Sequence, residues 1–193
     1  MRLAVLCFMA CAVLPSVSRA QAPVFEITLV ECSIKFDAEA SVSIKGAFDK
    51  WDATLTFTSP DLSTGVLEIR IYAASVDTGS GMKNGKLKGK DFFDVEWNPL
   101  ITFTSTKIVQ SGSDTLEVDG NFTIRGISKP EKLTLAISGK GTGSGTIKGT
   151  MAFDRKDYGM NKGIPFIKIA NRVEVNVDLS AKRVSGPPVT LNP

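Results

Sequence analysis

The segment LEVDGNFTIR, from Leu116 to Arg125, shows a pattern that repeats through most of this chain. Leu116, Val118 and Phe122 lie on one side of an alternation whose other side is polar or charged. This alternation is typical of a β-strand with one face buried and the other in water. Similar segments begin near positions 34, 42, 55, 67, 101, 133, 147 and 173. The pattern therefore predicts eight or nine antiparallel strands joined by short turns.

Strands with a single apolar face allow two architectures. Two sheets can pack face to face, or one sheet can curl until its edges meet. Gly120 and Gly149 lie inside strand patterns, where glycine suits tight curvature or the close approach of another group. We therefore expect an all-β fold, a single antiparallel barrel of eight or nine strands with a short helical or irregular aromatic connection. Such a barrel can be filled by side chains or can hold one small ligand.

Residues 1–20 have the layout of a secretory signal peptide. Arg2 gives a positive start, Leu3 to Leu14 form an apolar run, and Ser18-Arg19-Ala20 supplies a cleavage site of small residues. The run is shorter than the ~18 residues that a membrane-spanning helix needs. We expect removal of the signal peptide near Ala20 and a periplasmic or secreted mature chain without stable membrane insertion. Acylation at Cys11 is a weaker alternative, because the residues before it fit a lipobox poorly.

The mature chain would comprise one β-barrel domain at 21–184 and a flexible tail at 185–193. Loss of the signal peptide removes two of the 23 basic residues and none of the 20 acidic ones, so the net charge falls from +3 to +1. So small a charge gives no support to nucleic-acid binding. Cys32 stays as the single cysteine, which excludes an internal disulfide.

The chain contains no histidine. This absence excludes Ser-His-Asp and Cys-His catalysis, zinc sites built on histidine, and histidine-ligated haem. We therefore expect no enzymatic activity, no metal site and no resident cofactor other than a bound lipid. An enzyme that uses Asp154, Asp157 and Tyr158 on a lipidic substrate is the one catalytic hypothesis left open.

A long connection, GKLKGKDFFDVEWNPLITF from Gly85 to Phe103, departs from the strand pattern. Phe92, Phe93 and Trp97 could each bury ~150–250 Å² of surface, and an exported monomer is not expected to leave all three in water. They must close one end of the sheet, line a cavity or form a partner surface. The lysines of this connection could attract an anionic head group, or could be an ordinary solvated face.

The glycine-rich segment GKGTGSGT, from Gly139 to Thr146, could suggest phosphate binding. It lacks the spacing and the terminal Lys-Ser/Thr of a P-loop, and no helical pattern follows it. We interpret it as a flexible hairpin turn.

Several segments, taken in order, resemble the YceI-like family of exported, lipocalin-like bacterial barrels. They are KGAFDKWDATLTF (Lys45–Phe57), SVDTG (Ser75–Gly79), LKGKDFFDVEWNPLITFTST (Leu87–Thr106), VDGNFTIRGISKP (Val118–Pro130) and FDRKDYGM (Phe153–Met160). The resemblance implies a β-barrel whose apolar tunnel binds a polyisoprenoid, such as a polyprenyl quinone or polyprenyl phosphate, for transport, storage or stress protection. Family members commonly carry histidines, and Gly85-Lys86-Leu87 here occupies one of those places.

Under this hypothesis the inward side chains line the ligand site. The predicted lining consists of Phe36, Phe57, Ile69, Ile71, Phe92, Phe93, Trp97, Phe103, Phe122, Leu135, Met151 and Phe153. Possible contacts to a head group are Lys86, Lys88, Arg155 and Tyr158. The expected partner is a lipidic small molecule, and the oligomeric state stays open, a dimer included. The alternative is a non-catalytic interaction module that docks a partner through its aromatic loop.

Overall fold

The computed structural model describes residues 21–40, 44–163 and 169–191, and within them the chain forms ten strands and one α-helix. The predicted signal peptide at 1–20 lies outside this part of the chain. The strands are β1 (Val24–Ala40), β2 (Ile44–Phe48), β3 (Trp51–Thr56), β4 (Val66–Tyr72), β5 (Val76–Asp77), β6 (Leu100–Gln110), β7 (Thr115–Ile124), β8 (Ile127–Ile137), β9 (Ser144–Asp154) and β10 (Ile169–Ser185). Helix α1 spans Gly81–Lys88, and short 3₁₀ turns span Leu62–Thr64, Ala73–Ser75 and Arg155–Tyr158.

All ten strands belong to one antiparallel sheet, in the order β3-β4-β6-β7-β8-β9-β10-β1-β2-β5. The sheet curls into a half-barrel, which confirms the predicted all-β, antiparallel architecture. The strand number exceeds the expected eight or nine because β5 is only two residues long and carries no alternation to detect. Strand β1 also begins at Val24, ten residues before its clearest alternation at Ile34.

The hairpin between β7 and β8 turns through Arg125 and Gly126, with Ile124 paired to Ile127. Both turn residues have positive φ, 54° and 71°, which is the geometry of a type I′ turn. Arginine rarely adopts this conformation. Its guanidinium donates hydrogen bonds to the carbonyl oxygens of Gly159 (2.6 Å) and Lys90 (2.9 Å). The turn is thereby bonded to the connection after β9 and to the connection after the helix that ends at Lys88.

Helix α1 is fixed to the end of β5 by one polar cluster. Asn84 donates to Asp77 (3.0 Å) and its amide oxygen accepts from the backbone N–H of Thr78 (2.9 Å). Hydrogen bonds from Asn84 and from the N–H of Gly79 lower the pKa of the Asp77 carboxyl below its ordinary value. The single buried residue of the helix, Leu87, faces the interior of the sheet. This anchoring positions the aromatic connection that follows. Within the described residues, no helix is long and apolar enough to cross a membrane.

Candidate ligand-binding site

The concave face of the sheet encloses a cavity of about 270 Å³, which we call the hairpin-end cavity because the β8–β9 hairpin borders it. Its wall is apolar and comes from the ends of many strands: Phe25, Ile27, Leu55, Phe57, Leu67, Ile108, Leu116, Leu135, Ile137, Ile147, Leu179 and Ala181. Glycines and serines of the hairpin, with Lys140 and Arg183, form its rim. The volume lies just below the range of roughly 300–1,000 Å³ that is usual for ligand pockets.

A second cavity of about 70 Å³ lies at the opposite ends of the strands, and we call it the plug-end cavity. It is bordered by Phe36, Phe48, Leu87, Phe92, Phe93, Phe122 and Phe153, among others. The rings of Phe36, Phe48 and Phe93 lie with their centroids 5.6–6.5 Å apart, a normal spacing for packed aromatic pairs. Since Phe92 and Phe93 are 3% and 8% exposed, the aromatic connection closes this end of the sheet.

A layer of packed side chains separates the two cavities. On β4, β6, β7, β9 and β10, a buried apolar side chain lies between the residues that border one cavity and those that border the other. These residues are Ile69, Phe103, Val118, Met151 and Val177. Phe103 lies directly over Gly120, where an added Cβ would come within 2.5 Å of the ring. This contact explains the glycine inside β7, and the layer divides the interior into two compartments.

The predicted lining residues divide among these three regions. Phe57 and Leu135 border the hairpin-end cavity, whereas Phe36, Ile71, Phe92, Phe93, Phe122 and Phe153 border the plug-end cavity. Ile69, Phe103 and Met151 belong to the dividing layer. Most of the predicted residues are therefore inward-facing, but only two of them border the larger space.

Trp97 lies outside both cavities with 82% of its surface exposed, which corrects its predicted place in the lining. Asp94 has a positive φ of 52°, and its carbonyl oxygen accepts from the N–H groups of Trp97 (3.1 Å) and Asn98 (2.9 Å). This tight turn directs Trp97 away from the interior that Phe92 and Phe93 enter.

The lysines predicted to contact a head group lie on the outside of the plug end. Lys86 pairs with Asp91 (2.9 Å) and its ammonium group lies 5.9 Å from the centre of the Phe92 ring. The hydrogen bond from Lys86 lowers the pKa of the Asp91 carboxyl. Lys88 is half-buried and borders neither cavity. In this structure neither lysine faces the larger space.

Arg155 and Tyr158 form hydrogen bonds within the protein and do not lie at an open cavity mouth. Arg155 is 7% exposed and donates to the carbonyl oxygens of Ala170 (3.1 Å), Lys162 (2.9 Å) and Met160. Tyr158 is fully buried, and its hydroxyl donates to Glu131 (2.9 Å). Burial, followed by that hydrogen bond, raises the pKa of the Tyr158 hydroxyl well above its ordinary value. Arg155 borders the closed plug-end cavity.

Sequence reasoning missed much of the hairpin-end cavity. Phe25 and Ile27 precede the clear alternation of β1, and the glycine-rich hairpin gave no sign that it borders a cavity. Arg183 continues the alternation of Leu179 and Ala181 by one further inward position, and this pattern could have identified it as a residue of the cavity. Among the described residues, no group of three or more His, Cys, Asp or Glu side chains could hold a metal ion.

These observations define a curled antiparallel sheet with an apolar cavity on its concave face. The model of the YceI-like domain matches residues 25–181, and the chain belongs to that family. The chain is 33% identical over 96 residues to a UPF0312 protein of Pectobacterium atrosepticum and 34% identical over 96 residues to the protein YceI of Salmonella arizonae. Each alignment covers 50% of this chain and 50% of the relative.

Solved structures share the fold. BcnA of Burkholderia cenocepacia superposes with a TM-score of 0.72 at 25% identity, covering 80% of this chain and 99% of the other. A polyisoprenoid binding domain from Saccharophagus degradans superposes with a TM-score of 0.64 at 13% identity, covering 83% and 99% of the two chains. At that identity the second match shows the fold alone.

Proposed function

We propose that this protein binds a long apolar lipid, such as a polyprenyl quinone or polyprenyl phosphate, with its chain in the hairpin-end cavity. The observation that carries the proposal is an apolar cavity of about 270 Å³ inside a protein of the YceI-like family. The polyisoprenoid binding domain from Saccharophagus degradans, which shares the fold, gives the ligand class its further support. The protein acts as a binding protein for transport, storage or stress protection and catalyses no reaction.

Burial of hydrocarbon supplies the affinity. Each CH₂ group removed from water contributes ~0.8 kcal/mol, offset in part by the ordering of the chain and the loss of its free motion. Because every buried side-chain nitrogen or oxygen among the described residues has a hydrogen-bond partner, the wall presents no unsatisfied polar group to a hydrocarbon.

The test is extraction of lipid from the purified protein, with mass spectrometry of the extract and native mass spectrometry of the complex. Ile137→Trp puts a large ring into the hairpin-end cavity and should reduce bound lipid at least about tenfold, since one side chain then occupies much of the space. Ala136→Trp adds the same ring at the next position, where the side chain is exposed and faces outward, and should leave lipid binding unchanged. Absence of lipid from the wild-type protein, together with no uptake of an added polyprenyl quinone, would contradict the proposal.

Binding takes place in the periplasm or outside the cell, after removal of the signal peptide at 1–20. Protein recovered from a periplasmic extract should begin at Gln21 on amino-terminal sequencing. Recovery only from the cytoplasm, with residues 1–20 retained, would be the opposite result.

A second candidate function rests on Trp97. An exposed fraction of 82% is unusual for tryptophan, and an interaction module that docks a partner protein through the aromatic connection would use this side chain. Trp97→Ala should then abolish recovery of that partner from periplasmic extract without changing the free energy of unfolding. Unchanged recovery would exclude Trp97 as the anchor.

A further inference from the structure

The lining of the hairpin-end cavity changes from apolar to cationic at its mouth. On β10 the inward-facing residues are Leu179, Ala181 and Arg183. The Arg183 guanidinium therefore lies at the end of this row, at the mouth of the cavity. Lys140 joins it from the β8–β9 hairpin. Among the described residues that border this cavity there is no aspartate or glutamate. The mouth therefore has a positive rim above a hydrocarbon wall.

The two cations differ in how far their charge is already balanced. Lys140 lies 2.8 Å from the carboxylate of Asp114 and also donates to the carbonyl oxygen of Ser113. Arg183 has no carboxylate at ion-pair distance in the part of the chain that the structure describes, and it donates to the carbonyl oxygen of Gly186. A guanidinium has five N–H donors, so a single backbone acceptor leaves most of them available.

The neighbouring hairpin leaves space beside that guanidinium. Gly143 has a φ of 81°, its carbonyl oxygen accepts from the backbone N–H of Arg183 (2.7 Å), and a Cβ on it would lie 4.0 Å from Arg183 Nη2. A Cβ on Gly141 would meet no atom within 4 Å. A side chain at Gly143 would occupy room next to the charge, whereas glycine leaves that room open.

Building on the proposed function, we infer that the ligand is a single-chain amphiphile with an anionic head group, a carboxylate or a phosphate, that pairs with Arg183. The hydrocarbon chain lies in the hairpin-end cavity below it. Arginine binds both anions through two parallel N–H···O bonds, and the half-buried position makes such a pair stronger than in open water. Lys140, already paired with Asp114, adds a weaker attraction.

The experiment compares two pairs of probes that share a chain and differ in head group: farnesyl phosphate with farnesol, and palmitate with hexadecan-1-ol. Titration calorimetry of the mature protein, below the micelle concentration of each probe, gives the four dissociation constants. We expect each anionic probe to bind about tenfold or more tightly than its alcohol, as one charge-assisted pair provides. The pair with the larger ratio of alcohol to anion dissociation constants identifies phosphate or carboxylate as the preferred head group, because the contribution of the chain cancels within each pair.

Three variants locate the effect. Arg183→Met should remove the preference for each anionic probe over its own alcohol, and Arg183→Lys should retain part of it. Lys182→Met loses the same charge from the next position, which is exposed on the outer face of the sheet, and should keep the full preference.

The outcomes separate this inference from the proposed function. Equal binding of anionic and alcohol probes, or a preference that survives Arg183→Met, would overturn the anionic head group while leaving lipid binding intact. Failure of the wild-type protein to bind any of the four probes would overturn both.

Discussion

At the level of single residues, Tyr158 was predicted to contact a ligand but packs inside the protein. Its ring packs at 5.2 Å from Phe153 and 5.7 Å from Phe122, and its hydroxyl reaches Glu131 on β8. The sequence indicated Tyr158 as a possible contact to a lipid head group. The sequence could not show that the 3₁₀ turn Arg155–Tyr158 places this tyrosine against β8, since that depends on contacts between residues far apart in the chain.

The titration of Tyr158 tests this position. Because the pKa of the folded state lies above the ordinary value of 10.0, the folded protein holds the hydroxyl proton more tightly than the unfolded chain. The stabilisation from this group is complete below pH 10.0 and is lost as the pH rises beyond it. Tyr72→Phe leaves Tyr158 as the single tyrosine.

In that variant, ultraviolet absorbance should show no tyrosinate in the folded protein at pH 10.0, the ordinary pKa. The signal should appear only as circular dichroism reports unfolding at higher pH. The same variant unfolded in guanidinium is the control and should titrate normally. Ordinary titration of the folded variant would contradict the buried, hydrogen-bonded position.

Among the secondary-structure elements, the strands were largely predictable and their connections were not. Alternation located β4, β6, β7, β8, β9 and β10, because a half-buried sheet forces polar and apolar residues to alternate. The course of the connections depends on tertiary hydrogen bonds. The positive φ of Asp94 produces the turn that directs Trp97 outward. The hydrogen bonds from Arg125 join residues that are 34 or 35 positions apart in the sequence.

Arg125 should be sensitive to substitution although it lies in a turn outside the core. Arg125→Lys keeps the charge but cannot reach the carbonyl oxygens of Gly159 and Lys90 together. Since hydrogen bonds from a charged donor contribute ~1.5–3 kcal/mol each, and this group is only half-buried, we expect a loss of about 1–3 kcal/mol in the free energy of unfolding. Denaturant unfolding measures it.

Arg172→Lys is the matched control for that comparison. Arg172 lies on β10 in an exposed pair with Glu174, 3.4 Å apart, and its change should cost almost nothing. An equal effect of the two substitutions would show that Arg125 does not hold the connections together.

For the whole molecule, the sequence predicted an apolar interior but not its division into two compartments. Cavity position depends on how side chains from different strands meet, and the contact of Phe103 with Gly120 is not visible in either strand alone. The dividing layer therefore closes the inner end of the hairpin-end cavity, and we call it the floor of that cavity. Under the proposed function, a long polyisoprenoid would fill the space down to this layer, and the rest of the chain would either project from the mouth or displace the layer.

The floor of the cavity should limit how much affinity increases with the length of the ligand chain. Across a series of prenyl phosphates, the gain in affinity per added isoprene unit should fall once the hairpin-end cavity is filled. Phe103→Ala removes the ring that covers Gly120 and should move this break to longer chains, with Phe103→Leu intermediate. The substitution to alanine should also cost about 3–5 kcal/mol of stability, which denaturant unfolding measures separately. A break at the same length in all three proteins would contradict the divided interior.

Photo-crosslinking tests most directly where the ligand lies. A polyprenyl phosphate that carries a diazirine at the far end of its chain is bound to the mature protein and irradiated, and the modified residues are mapped by mass spectrometry. We predict crosslinks to the wall of the hairpin-end cavity, at Leu116, Leu135 and Ile147. Crosslinks concentrated at Trp97 or at outward-facing residues such as Ala136 would contradict a ligand held inside the curled sheet.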